Sequence, residues 1–198
     1  CSSMILSKNR NNQRDNIPPR KWQIIAEVEI DENSDLSRIK EFVPAMEARR
    51  MGKLLKAATI ASQEALKIAG LEKPDAIITA TALGMLETSE KFLNSMVVDG
   101  ENSLSPTLFM QSTHNTIGSS IAIRNKCNGY NITYTQGKKS FEWAMRDAIR
   151  LVESRKAESV LVGCYDESAP IYNSFIQRLK GQEPANVYSK CLIISSAN

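Results

Sequence analysis

Two periodicities alternate along this chain, and the alternation limits the folds open to it. From Ala48 to Ala69 the apolar residues Met51, Leu54, Leu55, Ala58, Ala61, Ala65 and Ile68 recur at steps of three and four, and Gly70 stands where a helix stop is expected. After Pro74 the pattern changes to a short continuous run of strand length, Ala76-Ile77-Ile78-Thr79-Ala80-Thr81. Gly84 and a helix from about Leu86 to Val97 follow. Beyond the loop from Asp99 to Pro106 the alternation returns. Thr113 or Asn115 can cap a helix carrying Ile117, Ile121 and Ala122, Gly129 breaks it, and Asn131 to Thr135 is strand-like. Ser140 caps a second periodic helix with Phe141, Ala144, Met145, Ala148, Ile149 and Val152 on one face. Val160 to Cys164 reads as a buried strand and Val187 to Ser195 as the last one. Strands separated by helices predict a single α/β layer, a mostly parallel sheet flanked by helices. Ala76 to Thr81, Asn131 to Thr135 and Val160 to Cys164 are its expected core strands, with the Ser140 helix packed across them.

The N-terminal stretch reads differently. Residues 7–20 are polar and basic and end in Pro18-Pro19, which predicts a loop or arm. Trp22 to Ile30 reads as a short strand or hairpin arm and Asp31 to Asp35 as a turn. The expected organisation is an arm over residues 1–21 and one domain over residues 22–198. Lys plus Arg number 25 against 22 Asp plus Glu, so the net charge is +3, too even for nucleic-acid binding by charge alone. No apolar run approaches the roughly 20 residues of a membrane span. The four cysteines, Cys1, Cys127, Cys164 and Cys191, are far apart, and with the single His114 they make no metal-ligand pattern. Neither a metal nor a cofactor is expected. Gly84 lacks the further glycines or lysine of a phosphate cradle. Cys164 and Cys191 sit in apolar runs as small hydrophobes, which fits a reducing, cytoplasmic compartment. Cys1-Ser2-Ser3 is either a lipidated N-terminus or simply where the numbering starts.

The informative stretch runs from Ser105 to Glu167. Ser105-Pro106-Thr107-Leu108-Phe109, Ser112-Thr113-His114-Asn115-Thr116, a helix, Gly129-Tyr130-Asn131, a strand, the Ser140 helix and Ser159-Val160-Leu161-Val162-Gly163 follow one another. This series resembles the N-terminal half of a β-ketoacyl synthase. More narrowly, it resembles the short synthase-like proteins of bacterial aryl polyene and flexirubin pathways. Arg49-Arg50-Met51 and the strand Ala76 to Thr81 agree with the same alignment, which covers most of residues 45–170. The resemblance implies a thiolase-like half fold.

It also exposes two departures. A condensing enzyme places a nucleophilic cysteine at a strand-to-helix turn, where the helix N-terminus favours the thiolate and the backbone forms an oxyanion hole. Counting forward from Gly129 puts that turn at Lys138, and counting back from Val162-Gly163 puts it at Lys139. Gln136 stands close by, and chain-length-factor subunits carry glutamine in place of the cysteine. From Asn128 through Gly163 there is no cysteine. The sequence is also about half the length of a complete condensing enzyme, whose C-terminal half supplies two histidines. The only histidine here, His114, lies in another segment.

Three function classes follow. One is a non-catalytic or weakly active subunit of chain-length-factor type in bacterial polyketide, aryl polyene or fatty-acid-like biosynthesis. Its partners would be a condensing-enzyme subunit or a second copy, and an acyl carrier protein met by Arg49, Arg50, Lys53 and Lys56. The second is a small acyltransferase or hydrolase in which His114 is the base, Ser112 the nucleophile and Asn115 the orienting group. The third, a lipid-anchored binding domain, rests on Cys1. Against these stand plainer readings: helix capping for Ser112, Thr113 and Asn115, a solvated turn for Lys138 and Lys139, packing for Cys164, and surface positions for Asp166 and Glu167. As half of a two-half fold, the chain is expected to expose an apolar helical face, on the helix of Ile117 and Ile121 or on that of Phe141, Met145 and Ile149.

Overall fold

The computed structural model describes residues 21–100, 104–181 and 186–197, so all but the last residue of the expected arm, and Cys1 with it, lies outside the described residues. The central strand β2, Ala76–Ala80, is the short apolar run, buried at every position. Its side chains alternate: Ile77 enters the hydrophobic cluster on one face of the sheet, and Ala76, Ile78 and Ala80 enter the cluster on the other. β3, Tyr130–Tyr134, pairs parallel on one side of β2, and β4, Ser159–Glu167, pairs parallel on the other. The three predicted core strands are therefore adjacent. β5, Val187–Ser196, runs antiparallel to β4, and β1, Trp22–Asp31, runs antiparallel to β5. The order β1-β5-β4-β2-β3 makes one mixed sheet.

Helices cover both faces. On one side lies α2, Lys53–Ala69, with ten buried residues. It begins five residues later than its periodicity suggested, because α1, Ala45–Ala48, is a separate single turn and Gly52 occupies the cap position. Ala48 and Met51 are buried on either side of the break, so the apolar spacing runs through it. The stop falls where expected: Gly70 adopts φ 68°, and the Leu71 N–H donates to the Leu66 carbonyl at 3.0 Å. α5, Thr116–Arg124, shares this face through Ile117 and Ile121. On the opposite face α6, Ser140–Glu153, buries Ala144, Ala148, Leu151 and Val152 against β2, β4 and β5. Ser140 does not cap it. Lys139 holds the cap position, and the Ser140 hydroxyl donates to the Thr81 carbonyl at 2.7 Å.

Three further helices surround the C-terminal ends of the parallel strands: α3, Leu86–Asp99; α4, Pro106–Gln111; and α7, Pro170–Lys180. The Ser105 hydroxyl caps α4 by accepting from the Leu108 N–H at 3.4 Å. The apolar faces expected to be bare are covered: Ile117 and Ile121 lie in the core, and Phe141, Met145 and Ile149 are half-buried. The outer side of α6 instead carries Glu142 paired with Arg146 and Arg150 paired with Asp147. Leu93, Val97, Val98, Phe109, Met110, Ile171, Phe175 and Leu179 are the exposed apolar residues of α3, α4 and α7. No helix among the described residues is long and apolar enough to cross a membrane.

Candidate functional site

The C-terminal ends of β2, β3 and β4 form the rim where an open α/β sheet places its ligand chemistry. Two carboxylates organise it, and both are buried rather than superficial as their sequence position suggested. Asp166 ends its strand facing the loop after β2. Its Oδ1 accepts from Thr81 Oγ1 at 2.6 Å and from the N–H groups of Ala82 and Leu83, each at 2.8 Å. The Gly84 N–H reaches Thr81 Oγ1 at 2.6 Å. Glu167, 2 % exposed, lies at the N-terminus of α3, which has no side-chain cap of its own, and accepts from the Thr88 N–H at 3.4 Å. The backbone of Leu54, in the first turn of α2, also interacts with its carboxyl. Burial pushes this carboxyl above its usual range, helped by the nearby Glu87 charge, while the backbone N–H groups oppose the rise. The signal available in the sequence was a pair of acids directly continuing a buried strand, with Thr81 and Gly84 in the opposing loop.

A shallow crevice too tight to hold a water molecule lies beside this loop, lined by Thr79, Thr81, Gly84, Met85, His114, Ile117, Thr133 and Tyr165. Thr79 and Thr133 share a hydroxyl hydrogen bond of 2.7 Å. His114 is exposed, and its ring packs over Gly84, whose φ of 66° and missing Cβ make room for it. Ser112 donates its hydroxyl to the Phe109 carbonyl at 2.7 Å, and no hydrogen bond joins it to His114 among the described residues. Asn115 occupies the cap position of α5 without a side-chain bond.

The β3-to-α6 turn is Thr135-Gln136-Gly137-Lys138-Lys139, a single 3-10 turn over Gly137–Lys139 with Gln136 in its cap position. Two cations thus stand where a helix N-terminus would favour an anion. The described cysteines lie elsewhere. Cys164 is buried in β4, Cys127 and Cys191 are buried free thiols, and burial pushes the Cys191 thiol up to about 12. The Tyr165 phenol lies beside that thiol, and burial raises it well above the usual range. Further along α6, Asp147 accepts from Tyr130 at 2.9 Å and Tyr134 at 3.1 Å, and Arg150 donates to its other oxygen at 2.7 Å. Burial alone would raise the Asp147 carboxyl, but these donors outweigh it and hold the group below its usual range. Arg49, Arg50 and Lys53 are exposed at the start of α2, and Lys56 is half-buried. No cluster of three or more metal-ligating side chains occurs among the described residues.

A rim built this way, with a parallel β4-β2-β3 unit and a strand-to-helix turn opening α6, belongs to a recognisable class. The model of the β-ketoacyl synthase N-terminal domain matches residues 21–198, and the chain belongs to that family. Among solved structures it is similar to a ketosynthase in complex with its chain length factor from Xenorhabdus doucetiae. That match has a TM-score of 0.71 and 19% identity and covers 89% of this chain and 79% of that one. The ishigamide ketosynthase/chain length factor matches with a TM-score of 0.69 and 20% identity, over 84% of this chain and 49% of that one. A type II polyketide synthase acyl-carrier protein in complex with its ketosynthase matches with a TM-score of 0.74 and 11% identity, over 89% and 63%. At these identities the likeness shows the thiolase-like ketosynthase fold. No curated protein matches the chain.

Proposed function

We propose that this chain is a non-catalytic subunit of chain-length-factor type, pairing with a cysteine-bearing condensing enzyme in bacterial polyketide, aryl polyene or fatty-acid-like biosynthesis in the cytoplasm. The observation that carries the reading is the strand-to-helix turn between β3 and α6, Thr135-Gln136-Gly137-Lys138-Lys139, which holds no cysteine. The described cysteines are buried in the core, and the Cys191 thiol, held at about 12, is not a thiolate at neutral pH. Two of the similar structures are ketosynthases with their chain length factors. Arg49, Arg50 and Lys53, with Lys56 behind them, supply a basic patch suited to an acidic acyl carrier protein. On this reading residues 22–198 act as one domain and residues 1–21 as an arm. Incubation with acyl-thioester substrates, followed by intact-mass analysis and peptide mapping, should leave every cysteine unmodified. Stoichiometric acylation of Cys127 or Cys191, the free thiols among the described residues, would refute the proposal.

A further inference from the structure

α2 and α3 both begin without a side-chain cap: Gly52 and Met85 hold the cap positions, and neither supplies an acceptor. The first N–H groups of each helix therefore need a partner from elsewhere. One carboxyl serves both. Glu167, 2% exposed at the end of β4, accepts from the Thr88 N–H at 3.4 Å, and the backbones of Glu87 and Leu54, each in the first turn of its helix, also bond to it. The strand is fixed to the start of α3 from the other side, because the Glu167 N–H donates to the Gly84 carbonyl at 3.2 Å. α3 depends on this joint more than α2 does. α2 has ten buried residues, whereas Thr88 is the one buried side chain among the described residues of α3. Beyond its first turn α3 is tied by the Ser89 hydroxyl, which reaches the Ser112 carbonyl at 3.4 Å, by Phe92 against Phe109 of α4, and by Glu90, which accepts from the Ile171 N–H of α7. α4 and α7 bury no residue themselves. A helix held this way opens locally at low cost.

Ionising a carboxyl enclosed in such a joint costs free energy that a hydrated, open joint does not ask for. The charged groups on the elements that meet there do not offset it. Glu87 of α3 adds a negative charge, although Lys91 pairs with it. Asp166, next to Glu167 on β4, directs its Oδ1 into the loop after β2, and Lys53 at the start of α2 is exposed. Val187, opposite Glu167 on β5, is apolar. No ion pair to Glu167 occurs among the described residues. We propose that Glu167 is a proton-operated latch: with its carboxyl neutral the first turns of α2 and α3 close over it, and with the carboxylate formed the joint opens to water and α3 is released from the rim. Because burial raises this carboxyl above its usual range, the closed joint keeps its proton at a pH where an open one has lost it. The latch therefore holds at low pH and lets go as pH rises through the raised value. Asp166 holds the Thr81–Gly84 loop separately, so that loop stays in place when α3 opens. The device does not rest on the function proposed above.

The test uses the full chain and amide hydrogen exchange read by mass spectrometry between about pH 5 and 8, with each rate corrected for its intrinsic pH dependence. Protection over α3 should fall by about tenfold or more across that range, while protection over α6 stays level. Glu167→Gln, which keeps the shape without the charge, should hold α3 protected at every pH. Glu90→Gln, at the tie to α7, should leave the wild-type pH response in place. In the wild type the Glu167 carboxyl, followed by carbon-13 NMR, should titrate with the same midpoint as the loss of α3 protection, which reads the latch even where Glu167→Gln folds poorly. Wild-type α3 protection that does not vary with pH overturns the latch, and so does a pH response that persists in Glu167→Gln or vanishes in Glu90→Gln. A Glu167 midpoint away from that of α3 overturns it as well.

Discussion

Replacing Asp166 with alanine tests whether a buried carboxylate holds the rim together. Its Oδ1 gathers Thr81 Oγ1 at 2.6 Å, the Ala82 and Leu83 N–H groups at 2.8 Å and, at 3.3 Å, the Gly84 N–H, which also donates to Thr81 Oγ1. Removing it leaves the last of these donors a partner but takes the acceptor from the other three. Ala82 is exposed, so water replaces its bond, whereas Leu83 is half-buried and the Thr81 side chain is enclosed. A hydrogen bond to a charged group contributes about 1.5–3 kcal/mol, and a buried donor left unpaired costs about 1–3 kcal/mol. With one donor rehydrated and two largely stranded, the loss is about 3 kcal/mol. In a domain of this size that lowers the melting temperature by roughly 6–12 °C. Asp166→Asn keeps an acceptor oxygen without its charge and should cost about half as much. Urea and thermal unfolding followed by circular dichroism separate the two, with the denaturant slope unchanged. An alanine variant within about 0.5 kcal/mol of the wild type, the scale of an ordinary surface change, would refute the reasoning, as would an asparagine variant no better than alanine.

Burial raises the Glu167 carboxyl, so the native chain retains a proton that the unfolded chain releases. This group's contribution is full below the unfolded value near 4.5 and is lost as pH rises through the native value. Glu167→Gln removes that slope, so its stability relative to wild type should climb between pH 4.5 and neutrality; a difference that does not vary with pH would refute it. Gly84→Ala places a Cβ inside the contact distance of His114 Nδ1 at a left-handed backbone position. His114→Ala in the same chain should relieve the overlap and leave about 1–2 kcal/mol of backbone cost, whereas strictly additive effects in the double-mutant cycle would contradict the packing. The Tyr134 phenol, pushed up to about 12 by burial and then by Asp147, should titrate there in an ultraviolet pH titration, and Tyr134→Phe should cost about 1 kcal/mol in urea unfolding.

What the sequence made legible is local. β2 showed itself because a five-residue run buried on both faces has to be apolar throughout, and the end of α2 because Gly70 takes a left-handed conformation there. The break between α1 and α2 was hidden, since Ala48 and Met51 keep the apolar spacing across it. The direction of β5 was hidden too, because an apolar run carries no sign and only its register against β4 fixes it as antiparallel. At the site, the resemblance marked the β3-to-α6 turn. Asp166 and Glu167 read as surface acids because their backbone partners lie about eighty residues away and leave no mark on residue type. Ser112 and His114 show the converse. Nearness in sequence suggested a catalytic pair, but the serine bonds back to Phe109 and the histidine lies over Gly84.

Thr81 ties the rim together. Its N–H donates to the Tyr134 carbonyl at 3.0 Å, its carbonyl accepts from the Ser140 hydroxyl at 2.7 Å, and its own hydroxyl donates to Asp166 at 2.6 Å. The end of β3, the start of α6 and the end of β4 therefore meet at one residue. The hydroxyl at the start of α6 is committed to the loop after β2, and Lys138 and Lys139 lie in the turn just before that helix. These bonds commit the ends of β3 and β4 and the start of α6 to one another. On the function proposed above, that rigidity suits a subunit whose task is to hold the shape of a partner's site.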